Sequence, residues 1–175
     1  MRTGDRVGNL AGVLIRDCTV DDLELLEECM PTRGTAAHAS FLARQRNGEA
    51  TYLVAWYDGK PVGSGVIRWA GDRDPAIRAA LPGCPAISNL GVTPARQGQG
   101  VGRQLTLAAE DRIRRRGYTR AGIGVGEDNL RAARLYARLG YVDTGLRCAS
   151  RYDYPDQDGV LREVIENDIA MVREL

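Results

Sequence analysis

The stretch GVTPARQGQGVGRQLTLAAE, from Gly91 to Glu110, sets four glycines between an apolar run and a helical pattern. Glycine gathers where the backbone must take a left-handed conformation or approach something closely. At the mouth of a helix such a turn bares amide hydrogens beside the positive end of the helix dipole. That arrangement suits an anion, most often a phosphate. A tight strand-to-helix turn that needs glycine for geometry alone is the plain alternative.

Two familiar phosphate loops fail here. A Walker-type loop needs a lysine after its last glycine, and Lys60 is the only lysine in the chain. A dinucleotide fingerprint would need glycine where Arg103 stands, after the first strand of a parallel unit. Here the loop comes deep in the chain, after the hairpin signal Asp58-Gly59 between two apolar, strand-like runs.

The flanking patterns organise the rest. GVLIRDCT reads as a strand, and TVDDLELLEECM as a helix behind an N-cap at Thr19 or Asp21. AAHASFLARQRNG reads as a second helix ending near Gly48. AGDRDPAIRAALPGCP reads as a loop with room for one helical turn, and AISNLGV as a strand. VGRQLTLAAEDRIRRRG is an amphipathic helix with Val101, Leu105, Ala108 and Ala109 on one face and arginines in its last turn. TRAGIGV is a strand, and NLRAARLYARLG a short helix carrying Ala132, Leu135, Tyr136 and Leu139 on one side. The end of the chain reads as two strands around Asp158-Gly159, with helix open for its last part. The expectation is a loose tail over residues 1–12 and one mixed α/β domain over 13–175.

Two motifs in this order carry a resemblance. Gln97-Gly98-Gln99-Gly100-Val101-Gly102 sits between a strand and a long helix, and Asn129, Ala132, Leu135, Tyr136, Gly140 and Tyr141 follow one strand later. This resembles the GNAT superfamily of acyl-CoA-dependent N-acetyltransferases, by motif over roughly Ile87 to Tyr141 and by element order over most of the rest. The resemblance implies a twisted mixed sheet of about six or seven strands with four helices, splayed between the fourth and fifth strands. It implies acetyl-CoA (coenzyme A) as cofactor and N-acetylation of a primary amine by direct attack through a ternary complex.

Site residues follow from the same resemblance. Gln97, Gly98, Gln99, Gly100, Val101, Gly102 and Arg103 would grip the diphosphate. Leu90, Gly91 and Val92 would offer backbone groups to the pantetheine arm, as an added strand pairs with a sheet edge. An amide near Val92 would steady negative charge on the thioester oxygen; a plain core role for Leu90 and Val92 is compatible with this. Asn129 would meet the cofactor, although as an N-cap it needs no ligand. Tyr136 would both touch the cofactor and protonate the departing thiolate, an unperturbed phenol with pKa about 10 being protonated at neutral pH. A tyrosine packed in the core is the alternative reading.

The general base is where the chain departs from the family. The positions at which members carry a glutamate hold Ala86 and Gly124. Glu127 and Asp128 lie nearby, but a carboxylate at a helix start is more often a dipole partner.

Composition narrows the partners. With 24 basic against 23 acidic side chains, nothing points to nucleic acid or membrane. The run RIRRRGYTR matches ordinary helix-end arginines. Cys18, Cys29, Cys84 and Cys148 are scattered, with His38 the only histidine, so no metal-ligand spacing exists and a reducing cytoplasm is expected. Trp56, Tyr57 and Trp69 read as core or hairpin residues. The acceptor would be a small-molecule or peptide amine, the acidic carboxy-terminal stretch favouring a cation if it is more than a solvated face. A homodimer stays open. A non-catalytic acyl-CoA-binding domain and a nucleotide-dependent enzyme are the rival functions.

Overall fold

The computed structural model describes residues 10–155 and 160–175. The strands are β1 (Leu14–Asp17), β2 (Ala50–Tyr57), β3 (Lys60–Arg68), β4 (Ala86–Val92), β5 (Arg120–Gly126), β6 (Val142–Pro155) and β7 (Leu161–Glu174). The helices are α1 (Leu23–Cys29), α2 (Ala37–Arg46), α3 (Pro75–Ala80), α4 (Val101–Arg115) and α5 (Leu130–Leu139). Hydrogen bonding links the strands in the order β1-β2-β3-β4-β5-β7-β6, a seven-stranded mixed sheet. By packing, the chain divides into two compact units, one of Met1–Ile67 with Asn89–Asp111 and one of Arg68–Ser88 with Arg112–Leu175.

In the first unit β1 and β2 pair antiparallel from Leu14↔Trp56 to Asp17↔Leu53. Between β2 and β3, Asp58 and Gly59 take φ of 50° and 70°, the pair of left-handed residues that a two-residue hairpin requires. Leu26, Leu42, Tyr52, Val54 and Val66 form a buried cluster, with Phe41 and Trp56 packed against it. His38 lies inside this packing. Its Nε2 is 2.8 Å from the Met30 carbonyl, which can only accept, so Nε2 donates there, and Nδ1 is hydrogen-bonded with the Tyr52 hydroxyl at 2.6 Å. Both ring nitrogens are thus satisfied, and His38 is a core residue.

Thr19 is the N-cap ahead of α1. Asp22 returns to its backbone amide at 2.7 Å and its hydroxyl at 2.9 Å, and takes a two-pronged ion pair from Arg16 at 2.7 Å on each oxygen. The Arg16 bonds, aided by those from Thr19, hold the buried Asp22 carboxyl down at about 2, against an ordinary 3.8. The folded pKa lies below the unfolded one, so the stabilisation is complete above about pH 4 and fades as the pH falls toward 2. A gap of this size corresponds to about 2 kcal/mol. Asp22→Asn should therefore lower the denaturation midpoint clearly at pH 7 and much less at pH 2.5. An unchanged difference between wild type and variant at the two pH values would count against it.

In the second unit β5 is central. It pairs antiparallel with β7 from Arg120↔Glu174 to Gly126↔Asp168, and parallel with β4 only at Ala86↔Gly122 and Ile87↔Ile123. Strands β6 and β7 pair from Val142↔Val172 to Pro155↔Leu161, with an irregularity between Asp143 and Arg147 where Gly145 takes φ 79°. The turn expected at Asp158-Gly159 lies outside the described residues, as do residues 1–9 of the expected tail. The end of the chain is strand, because Ile169 and Met171 alternate with Asp168 and Ala170 and β7 has a partner on each side.

Among the described residues five α-helices form where four helices were expected, the addition being α3. Pro75 opens it, and the Asp74 carboxylate accepts from the Ala76 and Ile77 amides at 2.7 and 3.2 Å. Ile77, 3% exposed, gives it one buried anchor, enough to extend a single turn into six residues.

Candidate functional site

The glycine turn belongs to the first unit. Gly98 and Gly100 take φ of 80° and 81°, which side chains with a Cβ disfavour, so glycine is needed at both by conformation. The Gly100 carbonyl accepts the first helical bond of α4, from the Gln104 amide at 3.0 Å. Among the described residues, the amides of Gly98, Gln99, Gly100, Val101, Gly102 and Arg103 make no hydrogen bond to the backbone outside regular structure. These are the donors that a helix start leaves over.

Charge sharpens the point. Helix starts are normally stabilised by Asp or Glu, yet the first turn of α4 has none and carries the exposed Arg103 instead. A cation at the positive end of a dipole is unfavourable unless an anion comes from outside. The turn itself is tied down by its own glutamines. Gln97 Nε2 donates to the Val92 carbonyl at 3.2 Å and Gln99 Nε2 to the Ala95 carbonyl at 3.0 Å. Arg96 lies over the Tyr57 ring, 4.5 Å from its centre.

Leu90, Gly91 and Val92 close β4 in this same unit. Before them, Asn89 takes φ 51°, a left-handed residue within the strand that changes which groups face each side. Close approach of β3 also matters here. A Cβ on Gly63 would lie 2.9 Å from the Gly91 carbonyl oxygen, and one on Gly65 3.2 Å from Leu90 Cγ. Sequence reading passed over Asn89, Gly63 and Gly65. An asparagine in an apolar strand was the available signal for the first, and two glycines spaced by one residue for the others.

In the second unit, pairing of β4 with β5 stops after Ile87, so the β5 side of β4 loses its partner where the splay was expected. Asn129 caps α5, its side-chain oxygen accepting from the Ala132 amide at 3.1 Å. Tyr136 is buried at 6% exposure, with its ring edge-to-face against Tyr141 at 6.0 Å between centres. Burial raises the phenol to about 12, so it keeps its proton at any working pH. Ala86 is buried on β4, whereas a Cβ on Gly124 would meet nothing within 4 Å. Neither position supplies a base.

Other features remain structural. Arg116 stacks 3.8 Å from the centre of the Trp69 ring, which in turn stacks on Tyr118. Among the described residues no cluster of three metal-ligating side chains occurs, and no helix is long and apolar enough to cross a membrane. Cys18, Cys29, Cys84 and Cys148 are unbridged.

A mixed sheet with its fourth and fifth strands parting, and helices following each, defines the acetyltransferase class of fold. An N-acetyltransferase from Staphylococcus aureus Mu50 superposes with a TM-score of 0.68 at 15% identity, over 94% of this chain and 99% of that one. A GNAT family acetyltransferase from Elizabethkingia anophelis, solved with acetyl-CoA bound, superposes with a TM-score of 0.62 at 19% identity, over 94% and 99%. Residues 20–141 match the model of the Acetyltransferase (GNAT) family, and the chain belongs to that family. A mycothiol acetyltransferase of Renibacterium salmoninarum is 37% identical over 82 residues, 45% of this chain and 24% of the relative. One of Streptosporangium roseum is 48% identical over 53 residues, 30% of this chain and 16% of the relative. The matched stretch is thus less than a quarter of either relative.

Proposed function

We propose that the protein is an acetyl-CoA-dependent N-acetyltransferase that delivers the acetyl group to a primary amine, of a small molecule or a peptide, within a ternary complex. The observation that carries this reading is the row of amides from Gly98 to Arg103 at a helix start lacking acidic residues. Acetyl-CoA supplies the activated acyl group, and the chain's residues bind it and manage a proton. The turn would hold the diphosphate with Arg103 beside it, and the end of β4, from Leu90 to Val92, would pair with the amide-bearing arm. Tyr136 would give its hydroxyl proton to the sulfur as the thiolate leaves, and Asn129 would help to orient the cofactor from the start of α5.

A second reading, a domain that binds acyl-CoA without turning it over, draws support from Ala86 and Gly124 at the glutamate positions. One experiment separates the two. The protein is heated with CoA, ATP or NAD, then incubated with acetyl-CoA and a panel containing spermidine, an aminoglycoside and a lysine peptide, with free thiol as readout. CoA alone should raise the midpoint, by about 2.7 kcal/mol of added stability at a hundredfold excess over Kd, and thiol should appear only with an amine. Stabilisation without thiol release on any amine would leave the binding domain. Stabilisation by ATP or NAD and not CoA would overturn both.

A further inference from the structure

The chain ahead of β1 reaches the glycine turn. The Leu10 amide donates to the Gln99 carbonyl at 2.8 Å, and the Gln104 side chain, in the first turn of α4, donates through Nε2 to the Leu10 carbonyl at 3.1 Å. Leu10 and Gln104 are 94 residues apart in sequence. Both backbone groups of Leu10 are therefore spent on the turn.

We propose that Leu10 and Gln104 form a clamp that orients the Gln99–Gly100 peptide for anion binding, making Gln104 a positioning residue for the cofactor. The inference rests on the diphosphate reading of the turn. The Gln99–Gly100 peptide is trans, as are all peptides among the described residues, and in a planar trans peptide the carbonyl and the amide hydrogen point to opposite sides. Fixing the Gln99 oxygen toward Leu10 thereby fixes the Gly100 amide away from Leu10, as one of the turn's six donors. The clamp is needed because of the glycine that follows. Gly100 at φ 81° tolerates either sign of φ, so a flip of the preceding peptide is cheap. A flip would turn an oxygen toward the phosphate in place of a hydrogen, replacing attraction by repulsion. Gln99 has a further tether through its side chain to Ala95, but that bond leaves its own carbonyl free to rotate. Among the described residues the Leu10 amide is the backbone donor to that oxygen, and Gln104 holds Leu10.

The test uses the full chain, labelled with nitrogen-15 and titrated with CoA, as wild type, Gln104→Leu, Leu10→Pro and the double variant. Gln104→Leu removes the donor while keeping a good helix former, and Leu10→Pro removes the amide hydrogen. In wild type the Gly100 amide should move downfield on binding. Each single variant should weaken CoA about fivefold, the scale of one lost hydrogen bond, with the Gly100 displacement diminished and that of Gly102 retained. The double variant should bind no worse than the weaker single one, because the two bonds act as a unit. Unchanged Kd and an intact Gly100 displacement in the variants would overturn the clamp, as would loss of folding in both singles, which would make the contact structural. Failure of wild type to bind CoA would instead overturn the reading of the turn.

Discussion

Tyr136→Phe is expected to lower turnover at saturating acetyl-CoA by about 100-fold or more, the range that one positioned proton donor supplies, while leaving the Kd for CoA within about twofold. The substitution removes one oxygen and keeps the ring, so the edge-to-face packing on Tyr141 survives. Any loss of rate is then chemical and not a collapse of α5. The pH dependence gives a second check. Burial holds the phenol near 12, so the protonated donor persists through the whole alkaline range in which a normal tyrosine, at about 10, would begin to lose its proton. Wild-type turnover should show no decline between pH 9 and 10.5 that the phenylalanine variant lacks. Equal turnover in the two proteins, or a loss traced wholly to KM, would remove Tyr136 from the chemistry.

How much of this was legible in the sequence depends on the range of the interactions involved. Helices α4 and α5 were readable because their apolar faces repeat locally and Gly117 and Gly140 stop them, each with positive φ. The β2–β3 hairpin was readable because Asp58-Gly59 is a local conformational signal. The order of strand, glycine turn, helix, strand and helix then carried the family. Helix α3 was undervalued because its stability comes from one cap, Asp74, and one anchor, Ile77, too short a pattern to show a period. At the site, the glycines at 98 and 100 announced themselves by type. Asn89 did not, since an asparagine in a strand is as easily a surface residue as a left-handed one.

Gly63 and Gly65 show a different limit. Their meaning lies in what faces them, the Gly91 carbonyl and the Leu90 side chain, and no local pattern reveals that approach. The contact of Leu10 with Gln99 and Gln104 is more distant still. A polar, glycine-containing opening has the composition of a loose tail, and composition says nothing about one backbone amide finding one carbonyl far along the chain. The base is missing for a chemical reason: a carboxylate can be read only where one exists, and Ala86 and Gly124 offer none.

Gly100→Val is expected to abolish measurable CoA binding at concentrations that saturate wild type, with the folded state retained. Two costs combine. The native φ of 81° is open to glycine, whereas a residue with a Cβ pays roughly 1–2 kcal/mol there and a β-branched one more. The turn would relieve that strain by rotating its peptides, which takes the Gly100 amide out of the row from Gly98 to Arg103. The second cost is steric, because an isopropyl group beside those amides stands where phosphate oxygens must approach. Together they exceed the 2.7 kcal/mol that separates a hundredfold change in affinity from none. Stability should suffer less, since Gly100 is half-exposed and precedes α4 without entering its buried face, which begins with Val101 at 1% exposure. Circular dichroism would verify the fold and calorimetric titration the loss of CoA. Gly102→Val provides the contrast. Its φ is within the ordinary helical range of α4, so it should weaken CoA by its bulk alone. A Gly100→Val protein that bound CoA as tightly as wild type would show that the turn serves the chain's geometry and not an anion.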